Sequence, residues 1–206
     1  MSKGILVVVS GFSGTGKGTV MKRLLDKYDN YALSISVTTR SPRPGEIDGR
    51  EYFFRTEEAF QELIREDALI EYARYVDHYY GTPRSYVEEQ LQAGKDVILE
   101  IEIQGARKVK EKIPEALLVF VAPPSMDELK NRLLGRGTES QAVIEGRLQR
   151  AAEESEGVEE YDYLLINDEL EACVVELHGI IQSEHCRISR NLDFLQEIRR
   201  EAHRQL

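Results

Sequence analysis

Cysteine, histidine and tryptophan are scarce in this chain, and their scarcity argues against several classes of chemistry. Of its 206 residues, two are cysteine, four are histidine and none is tryptophan. Cys173 and Cys186 lack the spacing of a metal or redox motif, and the histidines are scattered along the chain. The sequence therefore predicts neither a zinc site nor a thiol-based active site.

Long apolar runs and a leader segment are also lacking. No stretch approaches the roughly 18 consecutive apolar residues of a membrane span, and the first residues lack signal-peptide organisation. We therefore expect a cytoplasmic protein without a membrane partner. Acidic residues outnumber basic ones, and the formal net charge is −10. This net negative charge argues against a nucleic-acid partner. The oligomeric state stays open between a monomer and a small homo-oligomer.

The most informative segment present is 11–19, Gly-Phe-Ser-Gly-Thr-Gly-Lys-Gly-Thr. An apolar run at 5–9 precedes it and a helical pattern at 20–25 follows it. Strand, glycine-rich turn, lysine and helix in this order predict a phosphate-binding loop, whose backbone N–H groups point inward at the start of a helix. Lys17 adds a mobile cation for the outer phosphates.

The hydroxyl that usually follows the lysine of such a loop is displaced by one residue. Gly18 takes its position, and Thr19 carries the hydroxyl. Because one step along a helix rotates a side chain by about 100°, we expect Thr19 to reach a magnesium ion through a water. The Gly-Lys-Gly-Thr form resembles adenylate kinases and other nucleoside monophosphate kinases more than GTPases.

Nearly continuous apolar runs alternate with helical patterns along most of the chain. Such runs predict strands that are buried on both faces, and their alternation with helices predicts a doubly wound α/β core around a parallel sheet. The predicted strands are 5–9, 97–103, 117–122 and 163–166, and the predicted helices are 19–28, 84–93, 106–112, 126–134, 141–157 and 170–186.

Two segments interrupt this alternation and predict smaller units. Residues 36–81, with strands at 51–55 and 69–75 around a helix at 57–66, indicate an inserted small α+β lobe. Residues 135–157 begin with a glycine hinge and indicate a helical lid. The core then comprises residues 1–35, 82–134 and 158–187, and residues 188–206 form a C-terminal amphipathic helix.

Two arginines at the start of the inserted lobe predict a second phosphate site. Arg40 and Arg43 lie three residues apart on a chain that two prolines stiffen, so their guanidinium groups form a double fork that suits a phosphate dianion. Further hydrogen-bond donors are available from Ser36, Tyr52 and Tyr80. An exposed basic turn is the alternative interpretation of the same residues.

Two carboxylates lie near the end of the predicted strand 97–103. Glu100 and Glu102 are two residues apart, so on a strand they project to the same face. Carboxylates in such a position are costly without a positive partner. Magnesium, Lys17 or nearby arginines would supply one.

Seven segments of the chain, together with the phosphate loop, resemble guanylate kinases. They are 36–46, 49–54, 78–82, 98–105, 121–125, 132–138 and 161–168, in one collinear order. The resemblance implies an enzyme of purine nucleotide metabolism that transfers the γ-phosphoryl group of ATP to GMP or dGMP with Mg²⁺. Its products would be ADP and GDP or dGDP.

The same resemblance implies roles for individual residues. The phosphate of GMP would be held by Ser36, Arg40, Arg43, Tyr52 and Tyr80. Guanine would be recognised by Glu71 and Thr82, with Glu102 at the guanine or in the arginine network. ATP would be bound by Gly11, Phe12, Ser13, Gly14, Thr15, Gly16, Lys17, Gly18, Thr19 and Asn167. The metal would be held through water by Thr19 and Glu100, and the transferring phosphoryl group would meet Lys17, Arg132, Arg136 and Arg147.

The chemistry of guanine fits the role of Glu71, and one departure from the family concerns Glu100 and Glu102. Guanine offers an N1–H and a 2-amino group side by side, two donors for one carboxylate, whereas adenine has neither on that edge. The family more commonly has aspartates where this chain has Glu100 and Glu102, so the division of roles between these two glutamates stays open.

Two alternatives remain on the sequence alone. One is another nucleoside monophosphate kinase, acting on AMP, dTMP or a mixed set of substrates. The other is a non-catalytic guanylate-kinase-like module that binds phosphopeptides through the arginine pocket. The complete phosphate loop and the lack of an appended domain favour the enzyme over this module.

Overall fold

The computed structural model describes residues 3–75, 77–135 and 141–205. In chain order the strands are β1 (Leu6–Gly11), β2 (Tyr31–Leu33), β3 (Val37–Thr38), β4 (Phe53–Phe54), β5 (Leu69–Tyr75), β6 (His78–Pro83), β7 (Asp96–Glu100), β8 (Leu117–Ala122) and β9 (Tyr163–Ile166). The α-helices are α1 (Lys17–Lys27), α2 (Glu57–Arg65), α3 (Arg84–Gln92), α4 (Ile103–Lys112), α5 (Met126–Gly135), α6 (Gln141–Ser155), α7 (Leu170–His185) and α8 (Leu192–Arg204).

Within the described residues, the larger of two sheets has five strands in the order β2-β7-β1-β8-β9, and its pairings are parallel. Alternate side chains of β1 reach opposite layers of core. Val7 and Val9 pack with residues of α1 and α7, whereas Leu6 and Val8 pack with residues of α3 and α4. Helices therefore cover both faces, which confirms the predicted α/β core with a parallel sheet.

The smaller sheet has four strands in the order β4-β3-β6-β5. Phe60 of α2 is fully buried against it, together with Val37 and Leu69. Helix α4 contacts the strand β5 of this sheet, where Lys108 Nζ donates to the carbonyl oxygen of Tyr72 at 2.9 Å. The structure thus holds this sheet beside the carboxyl edge of the parallel sheet. The division of the chain into core, lobe and lid remains a prediction.

The predicted strand 97–103 is wrong at its end. Strand β7 stops at Glu100, and α4 begins at Ile103 with Glu102 as its N-cap residue. The reason is that Ile103 belongs to a helical apolar pattern with Ala106 and Val109, and all three are buried. Glu100 and Glu102 therefore do not share one strand face.

Two further predictions differ from the structure, and one strand has no counterpart among the predictions. Strand β9 was expected to be buried on both faces, but it is the edge strand of the sheet and Leu164 is 54% exposed. Strand β6 was not predicted, and it pairs antiparallel with β5. The predicted helix 188–206 is a 3₁₀ turn (Ile188–Arg190) followed by α8, because the Asn191 side chain donates to backbone carbonyls at the break.

None of the helices in the described parts of the chain is long and apolar enough to span a membrane.

Candidate active site

The glycine-rich loop joins β1 to α1 and closes on itself. Gly11 must lack a side chain, because an added Cβ would lie 2.1 Å from the carbonyl oxygen of Val121. Gly16, the N-cap residue of α1, has a left-handed backbone with a φ of 87°, which glycine adopts without steric cost. Lys17 Nζ donates to the carbonyl oxygens of Gly11 at 2.6 Å and Phe12 at 3.2 Å. The loop thus curls around its own lysine.

Side chains from other elements fix the position of this loop. The ring of Phe12 is buried and meets that of Phe120 edge-on, with 5.0 Å between centroids. Asn167, which follows β9, donates from Nδ2 to the carbonyl oxygen of Thr15 at 2.7 Å. Asn167, the one residue predicted to bind ATP from outside segment 11–19, therefore contacts this loop.

Arginines of α5 and α6 reach the same loop. Arg147 Nη1 donates to Ser13 Oγ at 2.8 Å, and Arg132 Nη1 donates to the carbonyl oxygen of Thr15 at 3.4 Å. Arg132 Nε also donates to Glu128 Oε1 at 2.8 Å on the preceding turn. Arg136, the third predicted arginine, lies outside the described residues.

A cavity of about 610 Å³ lies between the loop and α6. Its lining includes Lys17, Glu100, Glu102, Arg147 and Glu154. Burial raises the pKa of Glu100 above its usual range, and the nearby Lys17 ammonium opposes that rise. The cavity is therefore mixed in charge, because Lys17, Arg147 and Arg150 suit an anionic ligand and its carboxylates suit a cation.

The predicted metal residues, Thr19 and Glu100, lie on α1 and at the end of β7 respectively. Glu100 Oε2 lies 3.9 Å from the position that a Cβ on Gly18 would take, so this carboxylate faces the start of α1. Thr19 follows Gly18 in the first turn of α1, and it is exposed. A hydroxyl and a carboxylate are the hard oxygen donors that Mg²⁺ prefers, so the residues present fit the ion.

The arginine loop after β3 is held by a carboxylate. Glu46 Oε1 accepts from Arg40 Nη2 at 2.8 Å, and Glu46 Oε2 accepts the backbone N–H of Arg43 at 2.7 Å. These two contacts hold the pKa of Glu46 below its usual range. The Arg40 guanidinium also lies over the rings of Tyr52 and Phe54, at 5.4 and 5.7 Å from their centroids. Arg43 lies exposed in the same loop.

A second cavity, of about 300 Å³, opens beside the smaller sheet. Ser36, Tyr52, Tyr80 and Glu71 are among its lining residues. Thr82 Oγ1 donates to Glu71 Oε1 at 2.7 Å, and both residues are buried. Burial raises the pKa of Glu71, and the Thr82 hydrogen bond opposes that rise. A buried carboxylate oriented in this way is suited to pair with N–H donors of a ligand.

The two cavities share a wall. Glu100, Ile101 and Glu102, the segment between β7 and α4, line both of them. The carboxyl edge of the parallel sheet thus faces the phosphate loop on one side and the smaller sheet on the other. Of the residues predicted for the second phosphate site, Ser36, Tyr52 and Tyr80 line the second cavity, whereas Arg40 and Arg43 line neither of the two.

Sequence reasoning missed two carboxylates and one glycine near these cavities. Glu46 orients Arg40, and Glu154 of α6 lines the larger cavity. Burial and the Glu102 carboxylate raise the pKa of Glu154, against the effect of Lys17 and an arginine. A signal for Glu154 existed, because it lies two helical turns from Arg147 on one face of α6. Gly105 of α4 lines the smaller cavity.

Comparisons with known proteins agree with one another. The family model described as guanylate kinase matches residues 3–184. A guanylate kinase from Caldanaerobacter subterraneus subsp. tengcongensis is 51% identical over 200 residues, covering 97% of each chain. One from Oceanobacillus iheyensis is 53% identical over 188 residues, covering 91% of each chain. The crystal structure of guanylate kinase from Anaplasma phagocytophilum superposes with a TM-score of 0.73 at 33% identity, covering 95% of each chain.

Proposed function

The chain belongs to the guanylate kinase family, and we propose that it transfers the γ-phosphoryl group of ATP to GMP or dGMP, giving ADP and GDP or dGDP. One observation carries the proposal beyond family membership. The wall formed by Glu100, Ile101 and Glu102 separates the cavity at the glycine-rich loop from a cavity that holds a buried carboxylate. Two nucleotides bound on either side of this wall would present their phosphates to each other.

The phosphate loop is the proposed ATP site. Its backbone N–H groups and the N-terminus of α1 favour the negative charge of a triphosphate. On binding, Lys17 would exchange the carbonyl oxygens of Gly11 and Phe12 for phosphate oxygens. The proposed ATP-binding residues are Gly11, Phe12, Ser13, Gly14, Thr15, Gly16, Lys17, Gly18, Thr19 and Asn167. Thr19 and Glu100 would hold Mg²⁺ through water, and the ion would neutralise charge on the β- and γ-phosphates.

The cavity beside the smaller sheet is the proposed GMP site. Its phosphate would lie against Ser36, Arg40, Arg43, Tyr52 and Tyr80. Guanine would donate its N1–H and 2-amino group to Glu71, which Thr82 holds through Oε1. Adenine would leave that carboxylate unpaired, and a site with an unpaired buried polar group rejects a ligand strongly. Glu102, at the start of α4, would act at the guanine or in the arginine network.

Transfer itself would depend on position and positive charge. The nucleophile would be a phosphate oxygen of GMP, which is largely ionised at neutral pH, so no general base is required. Lys17, Arg132, Arg136 and Arg147 would neutralise charge that develops on the equatorial oxygens in the transition state. The Arg147 contact with Ser13 supports this role for α6, because it brings the guanidinium to the phosphate loop.

A coupled assay of ADP release tests the proposal. Purified protein with ATP and Mg²⁺ should release ADP rapidly with GMP and dGMP, and far more slowly with AMP, dTMP or UMP. Faster turnover of AMP than of GMP would overturn the assignment of Glu71 and Thr82. GMP binding without ADP release would indicate a binding module instead of a kinase.

A further inference from the structure

Gly105 lies in the first turn of α4, beside the carboxylate of Glu71. A Cβ added to Gly105 would lie 3.4 Å from Glu71 Oε2 and 3.2 Å from Ile101 Cδ1. Both Gly105 and Glu71 line the smaller cavity. A methyl group at this position would therefore cover one oxygen of the carboxylate and take up space in the cavity.

The backbone does not require glycine at this position. Gly105 is absent from the glycines with positive φ among the described residues, and it lies within the helical span of α4. Glycine is one of the least favourable residues in a helix, and alanine is the most favourable. The closest contact of an added Cβ is the terminal carbon of a flexible side chain. The backbone conformation therefore does not explain the glycine, whereas the close contacts of an added Cβ are with Ile101 and Glu71, two side chains that line the cavity.

The two oxygens of Glu71 differ in their surroundings. Oε1 accepts the Thr82 hydroxyl at 2.7 Å, whereas Oε2 faces Gly105. The N1–H of guanine lies on the ring, but the 2-amino group projects beyond it and needs space around the oxygen that it meets. The glycine side of the carboxylate provides that space.

We propose that Gly105 is a specificity-determining residue, whose missing side chain leaves room for the 2-amino group of the purine at Glu71 Oε2. This inference rests on the proposed function of the site. On this account, the 2-amino group is recognised by the space beside Glu71 Oε2 as well as by the charge of Glu71. A purine monophosphate that lacks the group, such as IMP, makes no use of this space.

The test compares Gly105→Ala with a matched control, Gly179→Ala. Gly179 lies inside α7, and beyond its own helix backbone no atom lies within 4 Å of a Cβ added there, so Gly179→Ala should raise the Tm or leave it unchanged. Gly179→Ala should keep the wild-type kinetics. Gly105→Ala should raise the KM for GMP by about 10-fold or more while the KM for ATP stays within about twofold. Because IMP lacks the 2-amino group, its kcat/KM should fall much less than that of GMP.

Each other outcome counts against the inference or against its premise. Wild-type kinetics in Gly105→Ala would overturn it, and so would equal losses with GMP and IMP. A lower Tm with matching losses for ATP and GMP would show a structural role. If Gly105→Ala fails to fold, the comparison is repeated in a protein that carries Ile101→Val, with and without Gly105→Ala. Valine lacks the Cδ1 atom that lies nearest the added methyl group. A wild-type protein inactive on GMP would reject the proposed function itself.

Discussion

Glu46 binds Arg40 through one carboxylate oxygen, with 2.8 Å between Oε1 and Nη2, and uses its other oxygen for the backbone of the same loop. Charge-assisted hydrogen bonds of this kind are stronger than neutral ones. The Arg40 side chain is only 13% exposed and also lies over two aromatic rings. These contacts restrain the Arg40 side chain, which lowers the entropic cost of binding a phosphate.

Replacing Glu46 by glutamine should weaken GMP binding through Arg40. Glutamine is nearly isosteric but uncharged, so the KM for GMP should rise about 5- to 20-fold, the scale of a lost charged hydrogen bond. The kcat and the KM for ATP should stay within about twofold of the wild type. Steady-state kinetics with each substrate varied in turn would measure all three.

Glu51→Gln is the matched control for that substitution. Glu51 also accepts a backbone N–H and an arginine in this loop, but its partner Arg50 is exposed. Equal effects of the two variants would show that the loop fold matters, and not the position of Arg40. A lower KM for GMP in Glu46→Gln would show that Glu46 competes with the phosphate.

The raised pKa of Glu71 predicts a pH dependence of GMP recognition. The ionised carboxylate can accept both N–H donors of guanine, whereas the protonated form cannot. As the pH falls through the raised pKa of Glu71, the KM for GMP should therefore rise. The pH dependence of kcat/KM for GMP would show this acid limb, and Glu71→Gln should lack it while raising the KM at neutral pH by about 10-fold or more.

Glu71→Gln also separates this limb from the titration of the substrate. The phosphate of GMP also takes up a proton as the pH falls, and the variant keeps that contribution. A variant with the same acid limb as the wild type would assign it to the phosphate alone. Wild-type kinetics in the variant would remove Glu71 from the site.

Thr82→Val should shift the same acid limb in a known direction. The Thr82 hydroxyl stabilises the ionised form of Glu71 and so lowers its pKa. Valine has a similar shape but no donor, so the acid limb should move to higher pH, and the Tm should fall because a buried hydrogen bond is lost. Kinetics over a pH series would measure the shift. A limb that stays in place, or that moves to lower pH, would show that this hydrogen bond does not control the titration.

Arg147→Lys should lower the rate of transfer more than it weakens binding. Lysine keeps the charge but loses the planar fork of the guanidinium, which fits phosphoryl oxygens. We expect kcat to fall about 100-fold, the scale for loss of one stabilising donor in a transition state. Arg199→Lys on α8, where the arginine is exposed, is the control and should be unchanged. A wild-type kcat in Arg147→Lys would limit Arg147 to its contact with Ser13.

Features that depend on local pattern could be predicted from the sequence. The loop from Gly11 to Thr19 was recognisable because strand, glycines, lysine and helix are adjacent in the chain. The parallel sheet was recognisable because apolar runs alternate with helical patterns, although β9 is exposed because it lies at the edge. The predicted roles of the individual site residues remain proposals.

Features that depend on contacts between distant segments could not be predicted. Nothing in the residues around Glu46 distinguishes it from other carboxylates in turns until the loop closes on Arg40. Gly105 matters because Glu71 arrives from a strand more than 30 residues earlier in the chain. The end of β7 was misplaced because Ile101 and Ile103 continue an apolar run, whereas the sheet ends at Glu100.

Inhibition by a compound that joins the two substrates tests the central claim most directly. The claim is that both nucleotides bind in one cleft, on either side of Glu100, Ile101 and Glu102. Adenosine and guanosine linked by a chain of roughly five phosphates would occupy both sites at once, with affinity well above that of either nucleotide. The account predicts inhibition that is competitive with ATP and also with GMP. Competition with one substrate only would contradict it, because the two sites would then lie too far apart for transfer.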